Sequence, residues 1–192
     1  MVRKKNKSIN LTSIIATMAT AVLAITALIT VYITISAWKE EREANRPYFT
    51  FKESPKVVIN ELPQFEIKFT NVGEHPAVSL WSKSLVFSSA LDSQPIAVDE
   101  YALVNDIPKN ASATLLIDLN ALEEQTREGE VLPYFIVIVL RYEDPIIDKN
   151  FEQTLYLKWN GMEKNEILAI NHAEEEEKKK IIRYFAENKI GL

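Results

Sequence analysis

The chain carries few residues of the kinds that bind metals or attack substrates. Its two histidines, His75 and His172, each lack a second histidine at ligand spacing, so a zinc site would need carboxylates from distant segments. The absence of cysteine excludes disulfides, thiolate metal sites and a cysteine nucleophile. No Gly-x-Ser-x-Gly elbow and no glycine-rich phosphate loop occurs. The sequence therefore predicts no catalytic residue, no cofactor and no metal site, and it favours a surface position for both histidines.

Carboxylates are the one plentiful reactive group, with 27 acidic residues against 22 basic ones. No spacing selects two of them as an acid–base pair, so a carboxylate-dependent envelope hydrolase is only a second alternative among the functions considered. Glu143, Asp144 and Asp148 crowd one predicted turn, where they would either hold calcium or form a solvated hairpin turn. Because the segment does not follow the EF-hand pattern, the solvated turn is the favoured interpretation.

The net charge of -5 is unevenly distributed along the chain. Four basic residues and no acidic residue precede the first apolar segment, namely Arg3, Lys4, Lys5 and Lys7. The rest of the chain therefore has 18 basic and 27 acidic residues, a net charge of -9. Binding to nucleic acid requires a basic face, so this composition argues against a nucleic-acid partner.

The first 38 residues have the composition of a membrane anchor. No charged residue occurs in the 31 positions from Ser8 to Trp38, whereas a helix needs about 20 residues to cross a bilayer. Tyr32 and Trp38 stand near the far end, where aromatic rings favour the lipid interface. A cleaved signal peptide is the alternative, but its apolar core runs to only about 7–15 residues. We predict a transmembrane helix over residues 11–38 that is an uncleaved signal-anchor.

The direction of the predicted helix follows from the basic residues that flank it. The tail of residues 1–10 carries four of them and is predicted to be cytoplasmic, whereas Lys39, Arg42 and Arg46 flank the other end. The charges of the tail are denser and closer to the apolar segment. We therefore expect a single-pass protein of the inner (cytoplasmic) membrane with its C-terminal domain outside the cytoplasm.

The predicted helix has rows of small and hydroxyl residues. One row repeats every fourth position and is a candidate helix-pairing face, formed by Thr12, Ala16, Thr20 and Ala24. A second row comprises Thr26, Thr30 and Thr34. Small residues let helices approach closely in lipid, and hydroxyl groups can bond across the interface. The alternative is that each threonine bonds the preceding turn of its own helix.

The sequence after the apolar segment predicts a mainly β domain. Residues 39–46 are expected to be a juxtamembrane helical linker, and Pro47 to end it. The apolar period then changes to two, which predicts strands over 65–69, 78–87, 115–119, 134–142 and 151–159. Weaker candidate strands are 48–51, 57–59 and 96–104. About seven short strands with no helix between them favour an antiparallel β-sandwich over 47–160, in which the last two strands form the final hairpin.

Two of these segments predict further detail. The continuous apolar run of 134–140 is typical of a central strand that is buried on both faces. Residues 161–192 are predicted to be a C-terminal helical extension, with Asn171 and Glu174 as a capping box and with apolar residues only in its second half.

Two short motifs give a resemblance to a known group of proteins. Arg46-Pro47-Tyr48 resembles the segment that follows the membrane helix of many uncharacterised membrane-anchored bacterial proteins, and the segment 71–77 resembles the Asn-x-Gly-x-x-Pro-Ala turn of their β-sandwich. The resemblance covers about residues 38–160 and implies an immunoglobulin-like (adhesion-related) β-sandwich without catalytic residues. The turn residues are read locally. Asn71 opens the turn, Gly73 is expected to supply a backbone angle that other residues resist, and Pro76 to stiffen the start of the next strand.

These features favour a membrane-anchored, non-catalytic interaction module on the extracytoplasmic face, not an enzyme. Its predicted partners are the lipid bilayer and a protein partner or second copy, with no small-molecule substrate identified. The first alternative is an accessory subunit of a membrane enzyme, transporter or envelope complex that assembles through the helix.

Overall fold

The N-terminal segment forms one long helix, as the sequence predicts. The computed structural model describes residues 11–59, 62–103 and 105–191, so the basic tail of residues 1–10 and the end of the predicted 96–104 strand lie outside the described residues. Helix α1 spans Leu11–Ala44, and the mean hydropathy of its most apolar window is 2.3. Its length and apolar composition are sufficient to cross a membrane.

The chain divides after Ala44 into two compact units, the helix and a β-rich domain. The described part of the domain contains eleven strands: β1 Phe49–Phe51, β2 Lys56–Ile59, β3 Pro63–Asn71, β4 Val78–Ser88, β5 Ala97–Leu103, β6 Ser112–Asp118, β7 Tyr134–Asp144, β8 Lys149–Trp159, β9 Met162–Glu163, β10 Glu166–Ile167 and β11 Ile170–His172. Two helices complete it: α2 Glu123–Glu128, preceded by a 3₁₀ turn over Asn120–Leu122, and α3 Glu175–Asn188.

The strands pair antiparallel in two larger sheets and one small hairpin. In the first sheet, β3 is central, with β6 on one side and β1 and β2 following each other on the other side. The second sheet has the order β11-β8-β7-β4-β5. Among the described residues, strands β9 and β10 pair as strands only with each other.

The main hydrophobic core takes side chains from both larger sheets. Phe65, Ile67 and Phe69 alternate along β3 and are at most 2% exposed, which confirms the predicted half-buried strand. The ring of Phe65 meets the ring of Trp159 edge-on, with a centroid distance of 5.3 Å and an interplanar angle of 84°. Burial of such aromatic groups is the main source of stability in a cysteine-free domain of this size.

Strand β7 is buried on both faces because helix α3 covers its second face. Alternate β7 residues belong to the main core, whereas Phe135 and Val137 belong to a second cluster with Ile181 and Phe185 of α3. The predicted central strand and the predicted burial of only the second half of the C-terminal helix are both confirmed.

Three expectations about the domain were wrong. A helix does lie between β6 and β7, because Leu119, Leu122 and Thr126 are buried at a helical spacing and Gly129, with φ 78°, ends α2. The described part of the domain has eleven strands where about seven were expected, because several segments of only two to four residues also pair. The β7–β8 hairpin is not the final one, since the β9–β10 hairpin follows it. Asn171 lies in β11, whereas the α3 cap joins the Glu174 amide to a Glu177 carboxylate oxygen at 3.0 Å.

Candidate functional site

The predicted Asn-x-Gly turn is organised by the side chain of Asn71, which is fully buried. Its amide nitrogen donates to the carbonyls of His75 at 2.8 Å and Ile107 at 3.0 Å. Its amide oxygen accepts from the backbone amides of Tyr48 at 3.2 Å and Gly73 at 3.0 Å. One side chain therefore satisfies backbone groups from the start of the domain, from its own turn and from the segment before β6.

His75 and Asp144 form a buried pair next to this turn. The side-chain atoms His75 Nδ1 and Asp144 Oδ2 are 2.7 Å apart, and the two residues are 8% and 0% exposed. The second carboxylate oxygen of Asp144 accepts from the Ile146 amide at 2.9 Å, and the His75 amide donates to the Asn45 carbonyl at 2.9 Å. We name the linked residues Asn71, His75 and Asp144 the polar node.

The polar node corrects two sequence-based expectations. His75 is not a surface residue, and Asp144 does not belong to a solvated turn, because β7 extends to Asp144 and the 71–77 turn closes over it. Asp148 of the same predicted turn is exposed, and no group of three metal-ligating side chains occurs in the described part of the chain. The alternative interpretation, a calcium site formed by Glu143, Asp144 and Asp148, therefore gains no support from the described residues.

Gly73 is required for a different reason from the predicted one. The left-handed glycines of the described residues are Gly129 and Gly161, and Gly73 is not among them. A Cβ atom on Gly73 would overlap the Arg46 carbonyl oxygen and the Pro47 Cα, so the close approach of that segment excludes a side chain. Pro76 is half-buried and precedes Ala77, which exchanges backbone hydrogen bonds with Ile107 at 2.8 and 3.0 Å.

The two larger sheets are also joined by one glutamine that the sequence reading did not single out. Gln153 of β8 accepts from the Phe49 amide at 3.2 Å and donates to the Phe49 carbonyl at 2.6 Å. Gln153 lies on the same face of β8 as Leu155 and Leu157. A polar residue in this otherwise apolar alternation is the feature of the sequence that could have indicated its role.

The described surface concavities are shallow. One of about 280 Å³ is lined by Phe51, Glu53 and His172, among others, and the rings of Phe51 and His172 have centroids 5.7 Å apart. His172 is exposed, as predicted. Another of about 360 Å³ lies beside Arg141 and Glu152, whose side chains form an ion pair at 2.8 Å.

Other concavities and polar atoms add no reactive cluster. Two further concavities of the described residues have volumes of about 580 and 270 Å³. The larger is lined by no carboxylate, and the smaller is lined by one, that of Asp106. The buried Ser84 Oγ has no hydrogen-bond partner within the described residues. Its cross-strand neighbour Asp99 has a raised pKa, because burial opposes its charge and because Asp118 and Glu100 repel it.

The candidate pairing face of α1 is exposed along its described length. Ala16, Thr20 and Ala24 are all exposed, whereas the side chain of Thr12 lies outside the described side chains. Five threonine hydroxyls donate to the carbonyl four residues earlier at 2.8–2.9 Å, those of Thr17, Thr20, Thr26, Thr30 and Thr34. Bonding within the helix satisfies these polar groups without a partner.

A family model described as a domain of unknown function (DUF8453) matches residues 12–163. The chain belongs to this family. No curated protein matches it. Among solved structures it is similar to DesR, a β-glucosidase from Streptomyces venezuelae in complex with D-glucose, with a TM-score of 0.28 and 10% sequence identity. That similarity covers 57% of this chain and only 15% of the β-glucosidase.

The DUF8453 match covers parts of both compact units. It begins one residue into α1 and ends at Glu163, the last residue of β9. The apolar helix, the polar node and both larger sheets except β11 therefore lie within the matched region, whereas α3 lies beyond it.

Proposed function

We propose that this DUF8453 chain is a membrane-anchored, non-catalytic interaction module. The observation that carries the proposal is the exposure of α1, whose most apolar window has none of its residues buried within the protein. An apolar helical segment of this length that no described residue covers requires lipid or another protein around it. The domain that follows has its own core, so it does not need the helix for its packing.

We further infer that the two larger sheets form an immunoglobulin-like sandwich of the kind found in bacterial membrane-anchored proteins. The arrangement of β3 between β1 and β6, opposite β8-β7-β4, matches the A-B-E and G-F-C strand groups of that fold. The shared core, including the contact between Phe65 and Trp159, supports face-to-face packing of the sheets. Sheets of this kind commonly present binding surfaces on loops, faces and edges.

The proposed location is the extracytoplasmic face of the inner (cytoplasmic) membrane. Support comes from the basic residues Arg3, Lys4, Lys5 and Lys7 ahead of the apolar segment. The test is a pair of reporter fusions after residue 191, one active only in the cytoplasm and the other active only outside it. We expect activity from the external reporter alone. Activity from the cytoplasmic reporter would reject the proposed orientation.

The interaction role is tested by cross-linking in the membrane of the source cell. The full chain, without native cysteine, receives single cysteines at exposed domain positions and is treated with a thiol–amine cross-linker. We expect specific adducts from a restricted set of positions, while Asp148→Cys, on the exposed β7–β8 turn, reports background labelling. Equal labelling at every position would contradict a defined binding surface.

A second candidate is an accessory subunit that assembles through α1. The exposed row of Ala16, Thr20 and Ala24 favours it. Leucine at positions 16 and 20 would then disrupt assembly, whereas Ala21→Leu, the same change on another face of the helix, would not. Unchanged assembly in the double variant would exclude this route. A carboxylate-dependent hydrolase has less support, because four concavities of the described residues are each lined by at most one carboxylate.

A further inference from the structure

Strand β6 has one free edge. Within the described residues it pairs as a strand only with β3, from Ser112 opposite Thr70 to Asp118 opposite Gln64. The Leu119 amide donates to the Pro63 carbonyl at 2.9 Å, so the odd-numbered residues of this segment direct their backbone groups towards β3. The even-numbered residues therefore direct theirs towards the free edge, and their side chains are exposed on the outer face of the sheet: Ser112, Thr114, Leu116 and Asp118.

Strand β6 has neither the central charges nor the short length of the other edge strands, and β5 approaches it without pairing. Strand β5, also of seven residues, has Asp99 and Glu100 at its centre, and such charges discourage edge pairing. The edge strands β1, β2 and β11 have only three or four residues, and the part of β8 that extends beyond β11 carries Lys149 and Glu152. From Ser112 to Ile117, β6 contains no charge and no proline, and Leu116 is 54% exposed. These are the properties of an edge that accepts another strand.

We propose that β6 pairs antiparallel with β6 of a second copy of this chain. This inference names a partner for the interaction module and rests on that proposed function. With Leu115 opposite Leu115 of the second copy, Thr114 lies opposite Leu116 and Ser112 lies opposite Asp118. The pairs of even-numbered residues are then the hydrogen-bonded pairs, as their outward backbone groups require.

The charge pattern favours a second copy in this register. Each Asp118 carboxylate faces a serine hydroxyl, and no two carboxylates lie directly opposite each other. The same arrangement of β5, centred on Glu100, would place Glu100 opposite itself, which is destabilising. Strand β6 is therefore self-complementary where β5 is self-repelling.

The register is tested by disulfide trapping with the full chain in detergent, where a shared bilayer does not restrict how two copies meet. Thr114→Cys and Leu116→Cys chains with tags of different length are mixed and oxidised. Directly opposed residues have Cα atoms about 5.5 Å apart, which is within disulfide range. We expect at least about tenfold more mixed disulfide than from Glu100→Cys with Leu116→Cys, because pairing raises the effective concentration of the two thiols.

A charge pair at position 112 provides the matched variants. Lysine and aspartate there both replace the Ser112 hydroxyl, which lies 2.8 Å from the Thr70 hydroxyl, and they place opposite charges across from Asp118. In the trapping experiment, Ser112→Lys should raise the yield and Ser112→Asp should lower it, each by about two- to fivefold. The difference should shrink at high salt.

Three outcomes would overturn the proposal. The first is a yield no higher than that of the Glu100→Cys control. The second is an equal effect of Ser112→Lys and Ser112→Asp. The third is capture by Leu116→Cys of a different protein in the source membrane without any adduct between copies. This third result would contradict pairing between copies but would agree with the proposed interaction module. The reporter fusions test the proposed membrane orientation independently.

Discussion

His75 and Asp144, 69 positions apart in the chain, join side chain to side chain at 2.7 Å within the β-rich domain. The Asp144 carboxyl group uses both oxygens, because Oδ2 lies 2.7 Å from His75 Nδ1 and Oδ1 accepts from the Ile146 amide at 2.9 Å. No hydroxyl of the described residues hydrogen-bonds to His75. The pair therefore connects the 71–77 turn to the end of β7.

Asp144→Asn tests the stabilising role of the pair. An asparagine has one acceptor oxygen where Asp144 has two, so either one hydrogen bond is lost or the His75 ring must change tautomer to accept from the new amide nitrogen. We expect a loss of about 1.5–3 kcal/mol in the free energy of unfolding, measured by denaturant titration with tryptophan fluorescence. Asp148→Asn, on the exposed part of the same turn, is the control and should change stability by less than about 0.5 kcal/mol. Equal effects of the two variants would show that the buried pair contributes nothing.

Gly73→Ala tests the close approach of Arg46 and Pro47 to the turn. The new methyl group would overlap backbone atoms, which cannot rotate away as a side chain can. We expect a loss of about 1–3 kcal/mol in the free energy of unfolding. Gly191→Ala adds the same methyl group where no atom lies within 4 Å and should be neutral. A stable Gly73→Ala protein would mean that the Arg46–Pro47 segment can move aside at little cost.

Local patterns predicted the main strands, whereas long-range contacts decided the polar node. The alternation of Phe65, Ile67 and Phe69 is encoded within five residues, and β3 follows it. The environment of His75 depends on a carboxylate 69 positions away, which no local pattern reports. Helix α2 also has a local signal, because Leu119, Leu122 and Thr126 follow a helical spacing in the sequence, and the structure buries all three.

Asp99→Asn gives a prediction about pH. Because the folded-state pKa of Asp99 is raised, the folded chain binds more protons than the unfolded chain between the unfolded-state pKa and that raised value. The contribution of Asp99 to stability therefore falls as pH rises through this window. Above the window, its charge destabilises the fold by a constant amount.

The asparagine variant should accordingly be more stable than the parent at pH 7 and equal to it below both pKa values. The gain is expected to be a few tenths of a kcal/mol, because solvent screens this partly exposed group. Denaturant titrations at several pH values measure it, with Glu166→Gln as an exposed control. A gain that persists at low pH would show that charge is not the cause.

Phe185→Ala tests whether α3 is held to the sheet mainly by its buried apolar residues. Phe185 is 4% exposed and its ring lies 5.1 Å from the ring of Phe87, whereas Ile182 on the same helix is 48% exposed. We expect Phe185→Ala to cost about 3–5 kcal/mol and Ile182→Ala to cost much less. Hydrogen exchange should show the α3 amides losing protection first, since β3 packs in the main core and not against this helix. Equal loss of protection in α3 and β3 would show instead that the helix and the main core unfold as one unit.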